Sequence, residues 1–110
     1  MTRGDVVIVA DRRGEFTGKP RPALVVQSDA FQHAPTVPIL PITSDGRTDA
    51  PLLHIPVPAG SATGLSVPSW AQIELVAAVR RRRIGQVIGR ADDATMLAVN
   101  RALAVFLGLA

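Results

Sequence analysis

The chain has 110 residues, no cysteine and a formal net charge of +3, which excludes disulfides, thiolate metal sites and a cysteine nucleophile. Apolar residues make up 47% and aromatic residues 4%, so a core must be built from Val, Ile, Leu and Ala, the material of strands and small-residue packing. No apolar run approaches the roughly 18 residues of a membrane span and the start is too short for a signal peptide, so a cytoplasmic protein folded as one domain over residues 1–110 is expected.

The basic residues are nearly all arginine, Lys19 being the only lysine, and this balance suits a polyanionic partner. Arg3-Gly4-Asp5 leads into Val6-Val7-Ile8-Val9, a short apolar run bounded by polar residues and therefore a buried strand. Asp11 to Lys19 is polar, contains two glycines and reads as a loop that carries Arg12, Arg13, Glu15 and Lys19 toward Arg21. Arg21 itself stands between Pro20 and Pro22. Proline fixes its own φ and pushes the preceding residue toward extended backbone, so this arginine is oriented before anything binds it. Its guanidinium is permanently charged and matches a phosphate with a rigid fork of donors.

A second strand spans Ala23 to Gln27, and a third spans Thr36 to Thr43 and holds Pro38 and Pro41. Proline supplies no ladder donor, so this third strand is expected at an edge or with a bulge. It delivers Thr43 and Ser44 to a loop, Ser44 to Ala50, whose Asp45-Gly46 signals a tight turn. A fourth strand, Leu52 to Val57, is followed by a glycine-rich turn, and Leu65 to Val76 reads as a fifth strand carrying the only tryptophan, Trp70. The run Arg80 to Arg83 separates it from a last strand, Ile84 to Gly89. Short strands at this spacing, divided by Gly and Pro turns, argue for a mainly β, α+β architecture with a small barrel or curled sheet. From Asp92 to Leu107 the period changes: Met96, Val99, Leu103 and Phe106, with Leu107, recur at three- and four-residue steps. Asp92 is a suitable N-cap and Gly108 a suitable stop, so the chain ends in one amphipathic helix.

His33 sits in a polar turn and His54 in a strand, neither with a nearby carboxylate in sequence, so both read as structural or surface residues rather than metal ligands. No nucleophile elbow, Walker loop or paired-glycine dinucleotide motif occurs. The four-arginine run fits a phosphate-tracking stripe and a solvated strand connection equally well. One constellation remains: Glu15, Lys19 and Arg21 from the first loop, Thr43 and Ser44 from the second. If the strands carrying Arg21 and Thr43 are neighbours, a cation, a hydroxyl and a base converge. Such a set serves RNA cleavage without metal or other cofactor, because the substrate's own 2′-hydroxyl is the nucleophile. The protein then positions the ribose, assists proton transfer and stabilises the phosphoryl charge.

Arg3-Gly4-Asp5-Val6-Val7, Arg21-Pro22-Ala23-Leu24-Val25-Val26 with Ser28-Asp29-Ala30-Phe31, Pro41-Ile42-Thr43-Ser44, Gly89-Arg90 and the capped helix ending Leu107-Gly108-Leu109 together resemble the MazF/PemK family of toxin endoribonucleases. The resemblance spans nearly the whole chain in order. It implies an SH3-like barrel of about six or seven short strands with a C-terminal helix, a homodimer with an RNA groove across the subunit interface, and a cognate antitoxin that occupies that groove. It also implies metal-independent cleavage of single-stranded RNA to a 2′,3′-cyclic phosphate and a 5′-hydroxyl. The family's catalytic arginine and threonine fall on Arg21 and Thr43. Glu15 is the candidate base, and Arg12, Arg13, Lys19, Ser44 and Gln72 are the candidate RNA contacts. Two departures stand out: Ala71-Gln72 replaces the Asp-Gln pair of many members, and Ser69 stands where an arginine would be. Their absence gives some weight to an alternative, a non-enzymatic toxin resembling CcdB, which traps DNA gyrase. Against it, that relative ends in a tryptophan-containing tripeptide and this chain ends Gly108-Leu109-Ala110.

Overall fold

The computed structural model describes residues 1–10 and 19–110. Among these, seven antiparallel strands form one sheet: β1 Asp5–Val9, β2 Arg21–Val25, β3 Thr36–Thr43, β4 His54–Val57, β5 Ser69–Gln72, β6 Ala77–Arg80 and β7 Ile84–Arg90. The hydrogen-bonded order is β4-β5-β3-β2-β1-β7, with β6 also on β3, and the α-helix α1, Asp93–Phe106, follows the last strand. The fold is thus the mainly β, α+β arrangement with a C-terminal helix that the sequence predicts.

The continuous apolar runs of β1 and β2 follow from cover on both faces. Val6 and Leu24 enter one core with Leu40, Ile42, Ile55, Ala71, Ile73 and, from α1, Val99 and Ala102. Their neighbours Val7, Ala23 and Val25 enter a second core with Val9, Val37, Ile39 and Val79. Successive side chains on a strand project to opposite faces, so a strand with a core on each side has no polar alternation.

Several expectations are corrected. β3 is central rather than an edge strand: it pairs with β2 through Ile39 to Pro41, with β6 through Thr36 to Ile39 and with β5 through Ile42 and Thr43. Its prolines are tolerated because they stand where ladders stop. Pro41 falls between the last residue paired to β6 and the first paired to β5, and Pro38 lies past the last β2 pair, its carbonyl accepting from the Val26 N–H. The expected fifth strand, Leu65 to Val76, is only Ser69–Gln72, followed by a 3-10 turn at Ile73–Leu75 and the separate strand β6. Pro68, immediately before Ser69, lacks the donor that would extend the ladder. β4 starts at His54 because Ala50 to Leu53 is a turn in which the Ala50 carbonyl accepts from the Leu53 and His54 N–H groups.

The four-arginine run also divides. Arg80 ends β6 and Arg81–Arg83 form a 3-10 turn. Arg81 donates from Nε to the Ala34 carbonyl and from Nη2 to Gln27 Oε1, both at 2.9 Å, and Arg83 donates to the Ala10 carbonyl at 2.9 Å. Arg80 and Arg82 are exposed and make no side-chain hydrogen bond among the described residues. In α1 the buried positions are Thr95, Val99 and Ala102; Met96 and Leu103 are partly buried against them. The expected stripe ends there, since Phe106 and Leu107 are exposed.

Asp92 caps α1 by accepting the Thr95 N–H at 2.8 Å, and that hydrogen bond holds its carboxyl below the usual aspartate value of 3.8. A carboxyl with a lowered folded pKa stabilises the fold above its ordinary value and loses that contribution as the pH drops through the folded one. Asp92→Ala is expected to lower the melting temperature at pH 7 by roughly 4–8 °C. The gap from the parent chain should narrow below about pH 3.8, and a gap that stays constant with pH would contradict the cap.

Candidate active site

Arg21 opens β2 as an exposed residue. The β2–β3 register pairs Ala23 with Pro41; carried two residues further, it sets Arg21 opposite Thr43, the last residue of β3. On its other side Thr43 pairs with Trp70, and Trp70 in turn with Pro56 of β4. Residues directly opposite in antiparallel strands share a face, so the cation and the hydroxyl stand in one row across the sheet. Behind that row lie the buried Ile42, Ala71 and Ile55.

Arg21, Thr43, Ser44 and Gln72 line one open cavity of about 480 Å³, completed by Pro22, Pro41, Ile42, Leu65, Ser66, Val67 and Ser69. Of the predicted constellation, Arg21 of β2 thus shares one cavity with Thr43 and Ser44. Lys19 is exposed and lines a second cavity of about 480 Å³ with Arg83; Arg21, Pro22 and Pro41 belong to both. Arg21 thus stands at the junction of two depressions, with Lys19 on the far side of it from Thr43. Arg12, Arg13 and Glu15 lie outside the described residues.

The Thr43 Oγ1 accepts the N–H of Asp45 at 3.0 Å. With that lone pair engaged, the hydroxyl proton is directed elsewhere and is available to an anionic oxygen. The next residue, Gly46, rests on the indole of Trp70, so closely that a Cβ there would stand 2.3 Å from the ring. Arg47 follows, its N–H donating to His54 Nδ1 at 2.8 Å while the other ring nitrogen of His54 meets Glu74 Oε1 at 3.2 Å. Trp70 is therefore half-buried beneath a loop, a support for it rather than a core residue. His54, which has no carboxylate near it in sequence, has Glu74 brought to it by the β4–β5 pairing and the turn at Ile73–Leu75. Arg47 also makes a two-bond pair with Asp49, at 3.0 and 2.8 Å, which depresses the Asp49 carboxyl and raises the guanidinium. Both side chains are well exposed, so this pair adds little to stability.

Ser66, Val67 and Ser69 are lining residues that strand-pattern reasoning missed, because it placed them inside one long strand. Pro68 was the available signal that the segment before it is a wall and not a rung. Among the described residues no group of three or more His, Cys, Asp or Glu is arranged to hold a metal ion.

The model of the PemK-like, MazF-like toxins of type II toxin-antitoxin systems matches residues 2–107. The chain belongs to that family. It is 44% identical, over all 110 residues and 99% of the relative's length, to a Mycolicibacterium smegmatis protein named probable endoribonuclease MazF. Among solved structures, the Mycobacterium tuberculosis toxin MazF-mt6 superposes with a TM-score of 0.79 at 22% identity, covering 96% of this chain and 98% of that one. The MazE-MazF structure from Deinococcus radiodurans gives 0.79 at 24% identity, covering 100% and 97%. At these identities the structural likeness establishes the fold of a MazF toxin for this member of the family. Of the two departures in β5, Ala71 is fully buried and does not line the cavity, whereas Ser69, also buried, lines it with its hydroxyl donating to the Val67 carbonyl.

The seat of Gly46 on the sole tryptophan gives a direct test. Gly46→Ala is expected to displace the indole, shift the Trp70 emission maximum and lower stability by about 1–3 kcal/mol, the range for overpacking. Unchanged emission and melting temperature would show that the loop does not rest on the ring.

Proposed function

We propose that the chain is the toxin of a type II toxin-antitoxin pair, one domain over residues 1–110, and that it is a sequence-selective endoribonuclease which cuts single-stranded mRNA and so arrests translation. The observation that carries this is the meeting of Arg21 and Thr43 on one open cavity, in a chain 44% identical to a probable endoribonuclease MazF. The scissile phosphate occupies the space between them. The 2′-oxygen attacks phosphorus, the P–O5′ bond breaks, and the products are a 2′,3′-cyclic phosphate and a 5′-hydroxyl. Arg21 balances the charge that grows on the non-bridging oxygens, and the Thr43 hydroxyl donates to one of them. Ser44 and Gln72 hold the adjoining nucleotides, while Lys19, on the other side of Arg21, attracts the next phosphate along the strand. Glu15 takes the 2′-hydroxyl proton, water supplies the proton that the departing O5′ gains, and Arg12 and Arg13 add contacts to the RNA backbone. No cofactor is required, because the nucleophile belongs to the substrate.

The partners follow from the family. Related toxins are known in complex with a cognate antitoxin and with MazE, and we assign this chain a cognate antitoxin, a homodimeric state and a cytoplasmic setting. Exposed Phe106, Leu107 and Leu109 at the end of α1 offer a protein partner apolar surface. Among the described residues no helix is long and apolar enough to cross a membrane. The CcdB-like alternative is not favoured, since the matched family is that of PemK and MazF.

Purified protein is expected to cut a long RNA in the presence of EDTA, leaving ends that carry cyclic phosphate. Arg21→Ala should lower the cleavage rate by about 10²–10³, the effect of removing one preorganised donor of charge stabilisation, with the melting temperature retained. Thr43→Ala should lower it less. Full activity in Arg21→Ala would remove this residue from the reaction.

A further inference from the structure

The loop after β3 is held at three consecutive residues by three different devices. Asp45 is held through its N–H on Thr43 Oγ1, Gly46 through its seat on Trp70, and Arg47 through its N–H on His54 Nδ1. The third device has a support of its own. His54 can accept from Arg47 only if its proton is on the other nitrogen, and Glu74, which meets that nitrogen at 3.2 Å, keeps the proton there. The pair is shielded, with side-chain exposures of 12% for His54 and 28% for Glu74, and the second Glu74 oxygen is buried with no hydrogen-bond partner among the described residues. An exposed turn gains little from so costly an arrangement. A loop that begins with Thr43 and Ser44 gains a fixed geometry.

We propose that His54, oriented by Glu74, is a positioning residue for the cleavage reaction: it locks the Arg47 end of the loop so that the Thr43 hydroxyl and Ser44 face the scissile phosphate opposite Arg21. The inference rests on the function proposed above. His54 does not line the Arg21–Thr43 cavity, so its effect passes through the backbone of residues 44–47. Its neighbour across the β4–β5 ladder, Gln72, does line it, which ties the two walls of the cavity to one strand pair.

Asparagine can replace the accepting Nδ1 and glutamine the donating Nε2, so the two substitutions separate the loop lock from the contact with Glu74. In steady-state RNA cleavage, His54→Gln is expected to lower kcat about 10- to 100-fold with KM within about twofold, the cost of a reacting group misplaced by a fraction of its bond reach. His54→Asn should stay within about threefold of the parent rate. Glu74→Ala should lower kcat in the parent chain and have no effect in His54→Asn, where no tautomer needs fixing. Parent-like kcat in His54→Gln, or equal losses in His54→Gln and His54→Asn, overturns the inference. Failure of the parent chain to cut RNA overturns the proposed function instead. The Arg47 amide resonance then decides the lock by itself: displacement in His54→Gln but not in His54→Asn supports it, and no displacement in either defeats it.

Discussion

The register between β2 and β3 is the constraint on which the candidate site depends. Ala23, Leu24 and Val25 pair with Pro41, Leu40 and Ile39, and these residues feed two different cores, Leu24 with Leu40 on one face and Ala23, Val25 and Ile39 on the other. A slip of one residue would exchange the faces of all of them. Because both faces are filled, neither strand can shift, and the row beyond the paired segment is fixed with equal firmness. Arg21 and Thr43 occupy that row. Their approach is thus a consequence of core packing several residues away, and neither has to contribute to the fold in order to be placed.

Arginine in this chain does two kinds of work. Arg3 donates to the Val26 carbonyl and to Asn100 Oδ1, joining the N-terminus, the end of β2 and α1. Arg90 donates to Thr2 Oγ1 and Asp5 Oδ1 at 2.9 and 3.0 Å, and Arg81 and Arg83 satisfy carbonyls of remote loops. A planar fork with several donors suits this task because one side chain can close two or three exposed backbone acceptors at once. Arg21, Arg80, Arg82 and Arg101 make no such bonds among the described residues. The described arginines are therefore a mixture of struts and open cations, and of the two groups the second bears on a polyanionic ligand.

The loop that follows Thr43 shows how a polar, exposed segment is held without a core of its own. A hydroxyl, an indole face and an imidazole each fix one of three successive residues, and each of these groups comes from a strand already anchored in the sheet. Such a segment keeps its solvent access and gives up its conformational freedom. That combination is what a site needs when its work is to hold a phosphate between fixed donors rather than to supply a reactive group.

Much of this was legible in the amino-acid order alone. The apolar runs located most of the strands, the period change after Asp92 located the helix and its cap, and the proline-flanked Arg21 with Thr43 named the pair that shares the cavity. These are local signals, carried by φ restraint, side-chain period and residue chemistry. Tertiary structure alone decided that a strand with two prolines is the centre of the sheet, since only the places where its ladders end show that no donor is missed. It alone separated Arg81 and Arg83 from Arg80 and Arg82, because their carbonyl partners lie 47 and 73 residues away in the chain for Arg81 with Ala34 and Arg83 with Ala10. It alone joined His54 to Glu74 and to Arg47, since a hydrogen bond between groups on separate elements depends on register and turn geometry, which leave no period in the sequence.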